Sequence, residues 1–310
     1  QQALGMDNTQ AGELATANLV GYLLLSLFGG ALATRFGPRR VIGCGLLVAG
    51  LSMVMTGLAR TFEQAALWRA VTGVGSGASN VPVMGLLAGW AVARRRGLVT
   101  GIGVAGSSVA LIVVGPIVPP ILKAFGESGW HVCWFGYGAV TIVLGLAAWL
   151  ILRNRPADMG LEPLGADAEP TPVSAAAQTG KPEWGRVYAA WPVWHLGLVY
   201  TAFGFSYIIY MTFFVKRLVH ESGYTMAEAG RLFMVLGWFS LLCGVLWGSV
   251  SDRIGRKWAL AIVYLVQAAA FALFALGADR SVLLASAILF GLTAWSIPAI
   301  MAATCGDIVG

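Results

Sequence analysis

Long apolar runs separated by short polar stretches make up almost the whole chain. A helix needs about 20 mostly apolar residues to cross roughly 30 Å of hydrocarbon, and nine segments meet this requirement. They lie at residues 12–33, 41–59, 64–92, 97–122, 130–152, 190–215, 225–250, 258–277 and 282–304. A transmembrane β-barrel would instead show segments of about ten residues in which apolar and polar positions alternate. The pattern therefore predicts an all-α membrane protein with nine spans.

The apolar pattern also repeats within the chain. Residues 11–40 and 229–258 align without a gap at a constant shift of 218 positions, and Gly37 matches Gly255. Duplicated halves are typical of membrane carriers. The same shift leaves one segment of the second half without a partner at the start of the chain, and two segments of the first half without partners at its end. We therefore expect helices 2 to 10 of a twelve-helix protein with two pseudo-symmetric six-helix halves.

One extended polar stretch divides the apolar segments into two groups. Residues 153–188 contain five prolines together with many Gly, Ala and Ser residues. Such a composition cannot bury a core and is typical of a flexible linker. We predict an N-terminal bundle at residues 1–152, a cytoplasmic linker at 153–188 and a C-terminal bundle at 189–310.

Composition and charge support a membrane protein. The chain is 58% hydrophobic and 11% charged, whereas an average soluble domain has about 25% charged residues. The net charge of +6 could suggest a nucleic-acid partner. If the helices alternate in direction, however, thirteen basic residues fall on one side and five on the other. This bias predicts that the Arg-rich side is cytoplasmic, in a bacterial-type inner membrane, and it gives no evidence for nucleic acid.

Each copy of the repeat ends in a charged loop. In the second copy the loop is defined by Gly248, Asp252, Arg253, Gly255, Arg256 and Lys257. In the first copy the corresponding landmarks are Gly30, Arg35, Gly37, Arg39 and Arg40. A glycine in such a short connection permits a tight backbone turn. Cations at the start of a helix oppose the local helix dipole, so these charges predict partners elsewhere in the bundle or among lipid phosphates.

These loops resemble the G-x-x-x-D-R-x-G-R-[KR] signature of the major facilitator superfamily. That family carries the signature between helices 2 and 3 and again between helices 8 and 9. The resemblance implies a major-facilitator-type helical bundle in which the loop charges form a conformational latch during transport. Thr34 stands where the first copy should have an acidic residue, so we do not assign Thr34 an ionic role.

A single charge lies inside the segment 64–92. Gly73, Ser76 and Asn80 fall within about 40° of Arg69 on a helix with 3.6 residues per turn. The run from Arg69 is similar to the R-x-x-x-G-x-G signature of the same family. A charge inside a span costs roughly 2.5 to 3.5 kcal/mol, so we expect Arg69 to face the bundle interior or water. Arg69, Ser76 and Asn80 are therefore candidate substrate or coupling residues, and the alternative for Arg69 is snorkelling to the outer interface.

Aromatic residues supply the remaining candidates. Tyr200 and Tyr207 are seven positions apart, as are Phe203 and Tyr210, so each pair shares one helix face with little offset. The resemblance places helices 1, 4, 7 and 10 around a central cavity, which makes Tyr200, Tyr207 and Tyr210 candidates for substrate contact. Trp295 and Pro298 lie where a helix break could line that cavity. The alternative for all of these aromatic residues is ordinary helix packing.

The substrate class is suggested by a run at the start of the segment 97–122. The sequence from Trp90 through the arginines to Gly106 and Ser107 resembles the monocarboxylate and oxalate:formate branches of the family. Those carriers commonly place an arginine where this chain has Gly244. Binding of a monocarboxylate would therefore require another cation, for which Arg69 or a residue of the expected helices 1, 11 and 12 is a candidate.

The leading hypothesis is a secondary active transporter that works by alternating access and moves a small, monocarboxylate-like organic anion. An ion gradient or substrate exchange would supply the energy, with a proton as a candidate coupling ion. The alternatives are a carrier of neutral solutes or drugs and a non-transporting sensor on the same fold. Because no His, Asp or Glu residues converge within the spans, we expect no enzyme, no metal and no cofactor. The expected partners are the substrate and the lipid bilayer, and we expect a monomer.

Overall fold

The computed structural model describes residues 6–92, 95–166, 189–277 and 279–309. Within these ranges the chain forms eleven α-helices and no β-sheet. The helices are α1 Asn8–Phe36, α2 Pro38–Gly57, α3 Phe62–Gly89, α4 Arg96–Phe125, α5 Gly129–Ile151, α6 Trp191–His220, α7 Met226–Ser240, α8 Cys243–Ile254, α9 Arg256–Leu276, α10 Arg280–Gly291 and α11 Ser296–Val309. Each predicted apolar segment coincides with one helix or, for the seventh and ninth segments, with two consecutive helices.

The predicted count of nine membrane spans is not confirmed. Among the described residues, seven helical stretches are long and apolar enough to cross a membrane. One of these stretches, Gly97–Ile151, contains both α4 and α5, and α3 with its polar stripe is not among the seven. The helical segments are therefore where the sequence predicts them, but hydropathy and length together support fewer spans.

The two copies of the repeat begin and end alike. Asp7 accepts a hydrogen bond from the backbone N–H of Gln10 at 2.7 Å and caps α1, and Thr225 caps α7 through the N–H of Glu228 at 3.2 Å. At the other end of each copy, the glycine of the charged loop has a positive φ, +85° in the first copy and +90° in the second. Residues other than glycine are strained in this conformation because they carry a Cβ atom. The duplication is therefore also present in the backbone conformation.

The chain divides into two compact units, Gln1–Trp90 with Pro120–Glu162, and Ala91–Pro119 with Pro163–Gly310. The boundaries differ from the predicted bundles, because the first part of α4 packs within the second unit. Of the predicted linker, residues 167–188 lie outside the described ranges. Residues 153–166 include a short 3₁₀ helix at Pro156–Met159 and a hydrogen bond from the N–H of Val92 to the oxygen of Leu164 at 3.2 Å. This part of the linker therefore follows a defined path.

In the first unit, α3 packs against both α1 and α2 through its glycines. A Cβ atom placed on Gly73 would lie 1.9 Å from the backbone oxygen of Asn18 in α1. A Cβ atom on Gly75 would lie 2.5 Å from the oxygen of Gly45 in α2. Small residues allow such close backbone approach between membrane helices. The glycines of the R-x-x-x-G-x-G run therefore hold α3 in place between its neighbours.

In the second unit, α7 and α8 form an interrupted helix that packs along the first part of α4. A Cβ atom on Gly115 of α4 would lie 2.5 Å from the oxygen of Gly230, and one on Gly101 would lie 2.6 Å from the backbone of Gly244. Near the interruption, the hydroxyl of Ser240 donates to the hydroxyl of Ser108 at 2.8 Å. Close backbone contact and one buried hydrogen bond thus join these helices.

Candidate functional site

Arg69 stacks on an aromatic ring and has no acidic partner. Its guanidinium carbon lies 5.0 Å from the ring centroid of Trp134 in α5. Its backbone oxygen accepts a hydrogen bond from the side-chain amide of Asn18 at 3.1 Å. The residue is half-buried, and none of the ion pairs among the described residues includes it. A cation that is partly desolvated and stacked but not neutralised is suited to receive an anionic ligand.

The other two candidates on α3 lie on the same helix but not beside Arg69. With a rise of 1.5 Å per residue, Ser76 and Asn80 follow Arg69 by about 10 Å and about 16 Å along the helix axis. Ser76 is half-buried and Asn80 is exposed. Within the described ranges, neither side chain has a hydrogen-bond partner. Arg69, Ser76 and Asn80 therefore lie at separate positions along α3 and do not form one cluster.

The aromatic candidates of the second unit fall into two groups. Tyr207 lies 5.4 Å from Trp295 in an edge-on arrangement and 5.5 Å from Phe203, which in turn stacks on Tyr200 at 5.7 Å. Tyr210 differs, because its ring is 3% exposed and its hydroxyl is hydrogen-bonded to the hydroxyl of Ser286 at 2.9 Å. Tyr200, Tyr207 and Trp295 thus form one aromatic array, whereas Tyr210 belongs to the buried core.

A helix break adjoins the aromatic array. The chain leaves the α-helical conformation between Gly291 and Ser296, next to the residues for which the sequence suggested a break. Side chains from α8 and α9 form hydrogen bonds with backbone groups that the break leaves without helical partners. The indole N–H of Trp247 donates to Leu292 O at 2.9 Å, and the side-chain amide of Gln267 donates to Thr293 O at 3.1 Å. The backbone N–H of Trp295 lies 3.3 Å from the sulfur of Cys243.

Two buried polar atoms near this break have no hydrogen-bond partner among the described residues. They are the indole nitrogen of Trp295 and the side-chain oxygen of Gln267. Buried polar groups are nearly always hydrogen-bonded, so an orphaned donor and an orphaned acceptor indicate a place where a ligand or water could bind. Sequence reasoning missed Gln267, although it is the single amide within the apolar segment 258–277.

The loop of the second copy contains a network of ion pairs. Arg256 pairs with Asp252 and donates to the hydroxyl of Ser251 at 2.6 Å. It also pairs with Asp307 in α11 at 3.1 Å. A Cβ atom on Gly97, at the start of α4, would lie 2.9 Å from a carboxylate oxygen of Asp252. The network therefore joins α8, α9 and α11 and lies against α4.

Among the described residues, the loop of the first copy forms no such network. The positions equivalent to Asp252 and Arg256 hold Thr34 and Pro38. The hydroxyl of Thr34 donates to the oxygen of Ala31 one turn earlier at 2.8 Å. Asn154, from the predicted linker, accepts a hydrogen bond from the backbone N–H of Arg39 at 2.9 Å and so caps α2. In this copy a neutral cap takes the place of the ion pair.

The remaining residues of the two loop motifs have weaker contacts. Gly30 is half-buried. Gly248 lies against Gly97, and a Cβ atom added to Gly248 would lie 2.7 Å from the backbone oxygen of Gly97. Arg35 lies over the ring of Phe36, and Lys257 over the ring of Trp258. Arg40 and Arg253 are exposed and unpaired in the part of the chain that the structure describes. In the described part of the chain, only the second copy therefore brings its charges together.

The chain is similar in sequence to one protein family and to several curated transporters. The family described as Major Facilitator Superfamily matches residues 1–310. The chain is 25% identical over 267 residues to a probable sulfoacetate transporter of Cupriavidus necator, covering 83% of this chain and 59% of the relative. It is 26% identical over 293 residues to a 4-hydroxybenzoate transporter of Pseudomonas putida, covering 86% and 63%. The chain thus spans about three fifths of the length of these curated relatives.

A solved structure of the proton:xylose symporter XylE of E. coli has the same fold. It superimposes with a TM-score of 0.71 at 17% identity, covering 98% of this chain and 74% of that protein. At this identity the likeness concerns the fold and not the substrate.

Proposed function

The chain belongs to the major facilitator superfamily and is an integral, multi-pass membrane protein, and on that premise we propose that the protein to which it belongs is a secondary active transporter of a small organic anion. Transport would proceed by alternating access and be driven by an ion gradient or by exchange. We place the protein in a bacterial-type inner membrane, with its Arg-rich loops and linker in the cytoplasm.

The main support for an anionic substrate is the environment of the Arg69 side chain. A guanidinium group offers planar, paired N–H donors that match a carboxylate or sulfonate. The guanidinium group of Arg69 is held over Trp134 and has no acidic partner among the described residues. Two relatives carry the names of organic-anion transporters, for sulfoacetate and for 4-hydroxybenzoate. The free cation and these names support the same substrate class.

The second unit by itself offers neutral groups that suit an organic anion. Tyr207 and Trp295 lie edge to face, and the indole N–H of Trp295 is an unsatisfied buried donor. An aromatic pair with one free donor suits the apolar body and a polar substituent of an organic anion. We propose that Tyr200, Tyr207 and Trp295 contact substrate, and that Tyr210 supports them from the core.

The function can be tested by measuring flux through the full-length protein in proteoliposomes. With a proton or sodium gradient imposed, we expect accumulation of sulfoacetate, 4-hydroxybenzoate or a similar small carboxylate well above that in empty liposomes. Collapse of the gradient with an ionophore should remove this accumulation. Uptake of xylose or of a lipophilic drug without uptake of any anion would instead support a neutral-solute or drug carrier. Ligand binding without any flux would support a sensor.

The ion network at Arg256 is proposed to latch one conformation of the transport cycle. We expect Arg256→Gln to lower the rate of uptake by about fivefold, because loss of this partly buried charge network costs the latched state about 1 kcal/mol in total. Asp252→Asn should have a similar effect, and the double variant should be no worse than either single variant. The measurement is initial uptake, corrected for the amount of folded protein.

The repeat supplies a matched control for the latch. Thr34→Val changes the position equivalent to Asp252, where the hydroxyl contacts only its own helix. We expect uptake by this variant to stay within about twofold of the wild type, since an exposed local hydrogen bond contributes little. If the effects of Asp252→Asn and Arg256→Gln add fully in the double variant, the two residues do not act as a pair.

A further inference from the structure

The end of the second unit opposite the charged loop contains a pocket of about 370 Å³. Its polar lining consists of Tyr224, Glu228, Arg231, Arg280 and Ser281, and its apolar wall consists of Leu232, Val235 and Leu284. The volume lies within the range typical of small-molecule sites, roughly 300 to 1,000 Å³. Because helices rise 1.5 Å per residue, Arg231 is about 30 Å along α7 and α8 from Asp252, or roughly one membrane thickness.

One side of the pocket is held rigid by contacts between its own residues. Arg280 pairs with Glu228 at 2.9 Å, and its guanidinium carbon lies 4.7 Å from the ring centroid of Tyr224. Glu228 in turn caps the start of α7 through the N–H and hydroxyl of Thr225, at 2.8 and 2.9 Å. The carboxylate of Glu228 is therefore paired with Arg280 and accepts two hydrogen bonds from Thr225, which reduces its repulsion of an incoming anion.

The other side of the pocket has free hydrogen-bonding groups. Arg231 is exposed and has no ion-pair or hydrogen-bond partner among the described residues, and the hydroxyl of Ser281 is likewise unbonded there. The lining carries two arginines and one glutamate, which leaves a net charge of +1. In addition, α10 begins at Arg280 without a side-chain cap, so its first N–H groups favour negative charge.

The duplication shows that this charge is not a consequence of the fold. At the equivalent positions of the first half, Glu13 replaces Arg231 and Phe62 replaces Arg280. Ser281 corresponds to Glu63. The capping arrangement is shared, since Asp7 and Gln10 match Thr225 and Glu228. The cations are therefore an addition to the second half alone, on a scaffold that folds without them in the first half.

We propose that this pocket is an accessory binding site for a small organic anion, with Arg231 and Ser281 binding the carboxylate or sulfonate and the apolar wall holding the rest of the molecule. The inference rests on the proposed function, because it makes the pocket a first stop for substrate on the side of the membrane opposite the charged loops. A phosphate group of a lipid offers similar chemistry, but the apolar wall suits a compact organic body, and the free anion is the ligand that we assign.

Binding can be tested on the full-length protein in neutral-lipid nanodiscs by ¹⁹F NMR, with 4-fluorobenzoate as the probe and 4-fluorobenzyl alcohol as its neutral counterpart. In the Arg69→Gln background, we expect binding of the anion to persist and to weaken at least about tenfold on adding Arg231→Gln. Lys216→Gln removes the same charge from the same end of the unit, outside the pocket, and should leave binding unchanged. The neutral probe should bind weakly to all of these variants.

Three results would overturn the assignment. The Arg69→Gln protein could fail to bind the anion, Arg231→Gln could bind it as well as its parent, or anionic lipid in the nanodisc could displace it completely at a low mole fraction. The last result would identify a lipid headgroup as the occupant.

Uptake distinguishes this inference from the proposed function. We expect Arg231→Gln to raise the KM for the transported anion about fivefold and to change saturating uptake less than twofold, because an accessory site contributes to capture. If no anion is transported by the wild type, the proposed function fails, and the binding experiment still decides whether the pocket takes an anion. An unchanged KM together with lost binding would contradict the role in substrate capture.

Discussion

Replacement of Arg69 by glutamine is expected to reduce organic-anion uptake at least about 30-fold, because loss of one member of a desolvated charge contact costs 2 to 5 kcal/mol and each 1.4 kcal/mol is a factor of ten. Glutamine keeps the length and polarity of the side chain and removes only its charge and part of its donors. Arg69→Lys should retain some uptake, since it keeps the charge but loses the planar fork and most of the stacking on Trp134. The measurement is kcat/KM for the transported anion in proteoliposomes.

Arg60 provides a matched control for Arg69. It lies in the same unit, is exposed, and uses only its backbone N–H in the hydrogen bond to Gln64. Arg60→Gln should therefore leave uptake within about twofold of the wild type, as expected for a solvated surface charge. Both variants should be inserted in the membrane in equal amounts. Wild-type uptake by Arg69→Gln would mean that Arg69 only snorkels to the interface and that the anion is bound elsewhere.

Gly73→Ala is expected to destabilise the first unit by about 3 kcal/mol and to lower the melting temperature of the purified protein by about 5 °C or more. The new Cβ atom would lie 1.9 Å from the backbone oxygen of Asn18. Since that oxygen belongs to the backbone of α1, it can move away only if the two helices separate. Separation would also disturb Arg69, whose backbone oxygen is bonded to the Asn18 side chain.

A second glycine of the same helix tests whether packing is the cause. Gly85 also lies in α3, and a Cβ atom there would meet nothing within 4 Å. Gly85→Ala should be neutral or stabilising by up to about 1 kcal/mol, because alanine has the higher helix propensity. Thermal unfolding in detergent, monitored by intrinsic fluorescence, would compare the two variants. Equal melting temperatures would show that α1 and α3 do not require the close approach at Gly73.

Much of the fold could be predicted from the chain because its signals are local. Apolar runs mark helices wherever they occur, and the predicted segments coincide with the helices of the structure. The shift of 218 positions relates both the helix caps and the positive-φ glycines. The interruption at Leu241 and Leu242 between α7 and α8 was not predicted. The equivalent Leu23 and Leu24 lie within the unbroken helix α1, so the local sequence does not account for the break.

The candidate site was predictable only in part. The sequence identified Arg69 as a charge inside an apolar helix, but it could not identify Trp134 as the ring beneath it. It placed Tyr200, Tyr207 and Tyr210 in one aromatic array. In the structure, Tyr207 lies beside Trp295, and Tyr210 is hydrogen-bonded to Ser286. One helix turn separates these two tyrosines, and the neighbouring helices decide what each of them contacts.

By itself, the sequence determined that this is a duplicated, all-helical membrane protein with turns at Gly37 and Gly255, because hydropathy and glycine conformation act within a few residues of the chain. Tertiary structure alone decided which polar groups are paired. It joined Arg256 to Asp307, left Arg231 and Arg69 without acidic partners among the described residues, and satisfied the break before Ser296 with side chains of other helices. Such pairings depend on which helix faces meet, and two halves with one ancestral pattern can therefore carry different chemistry.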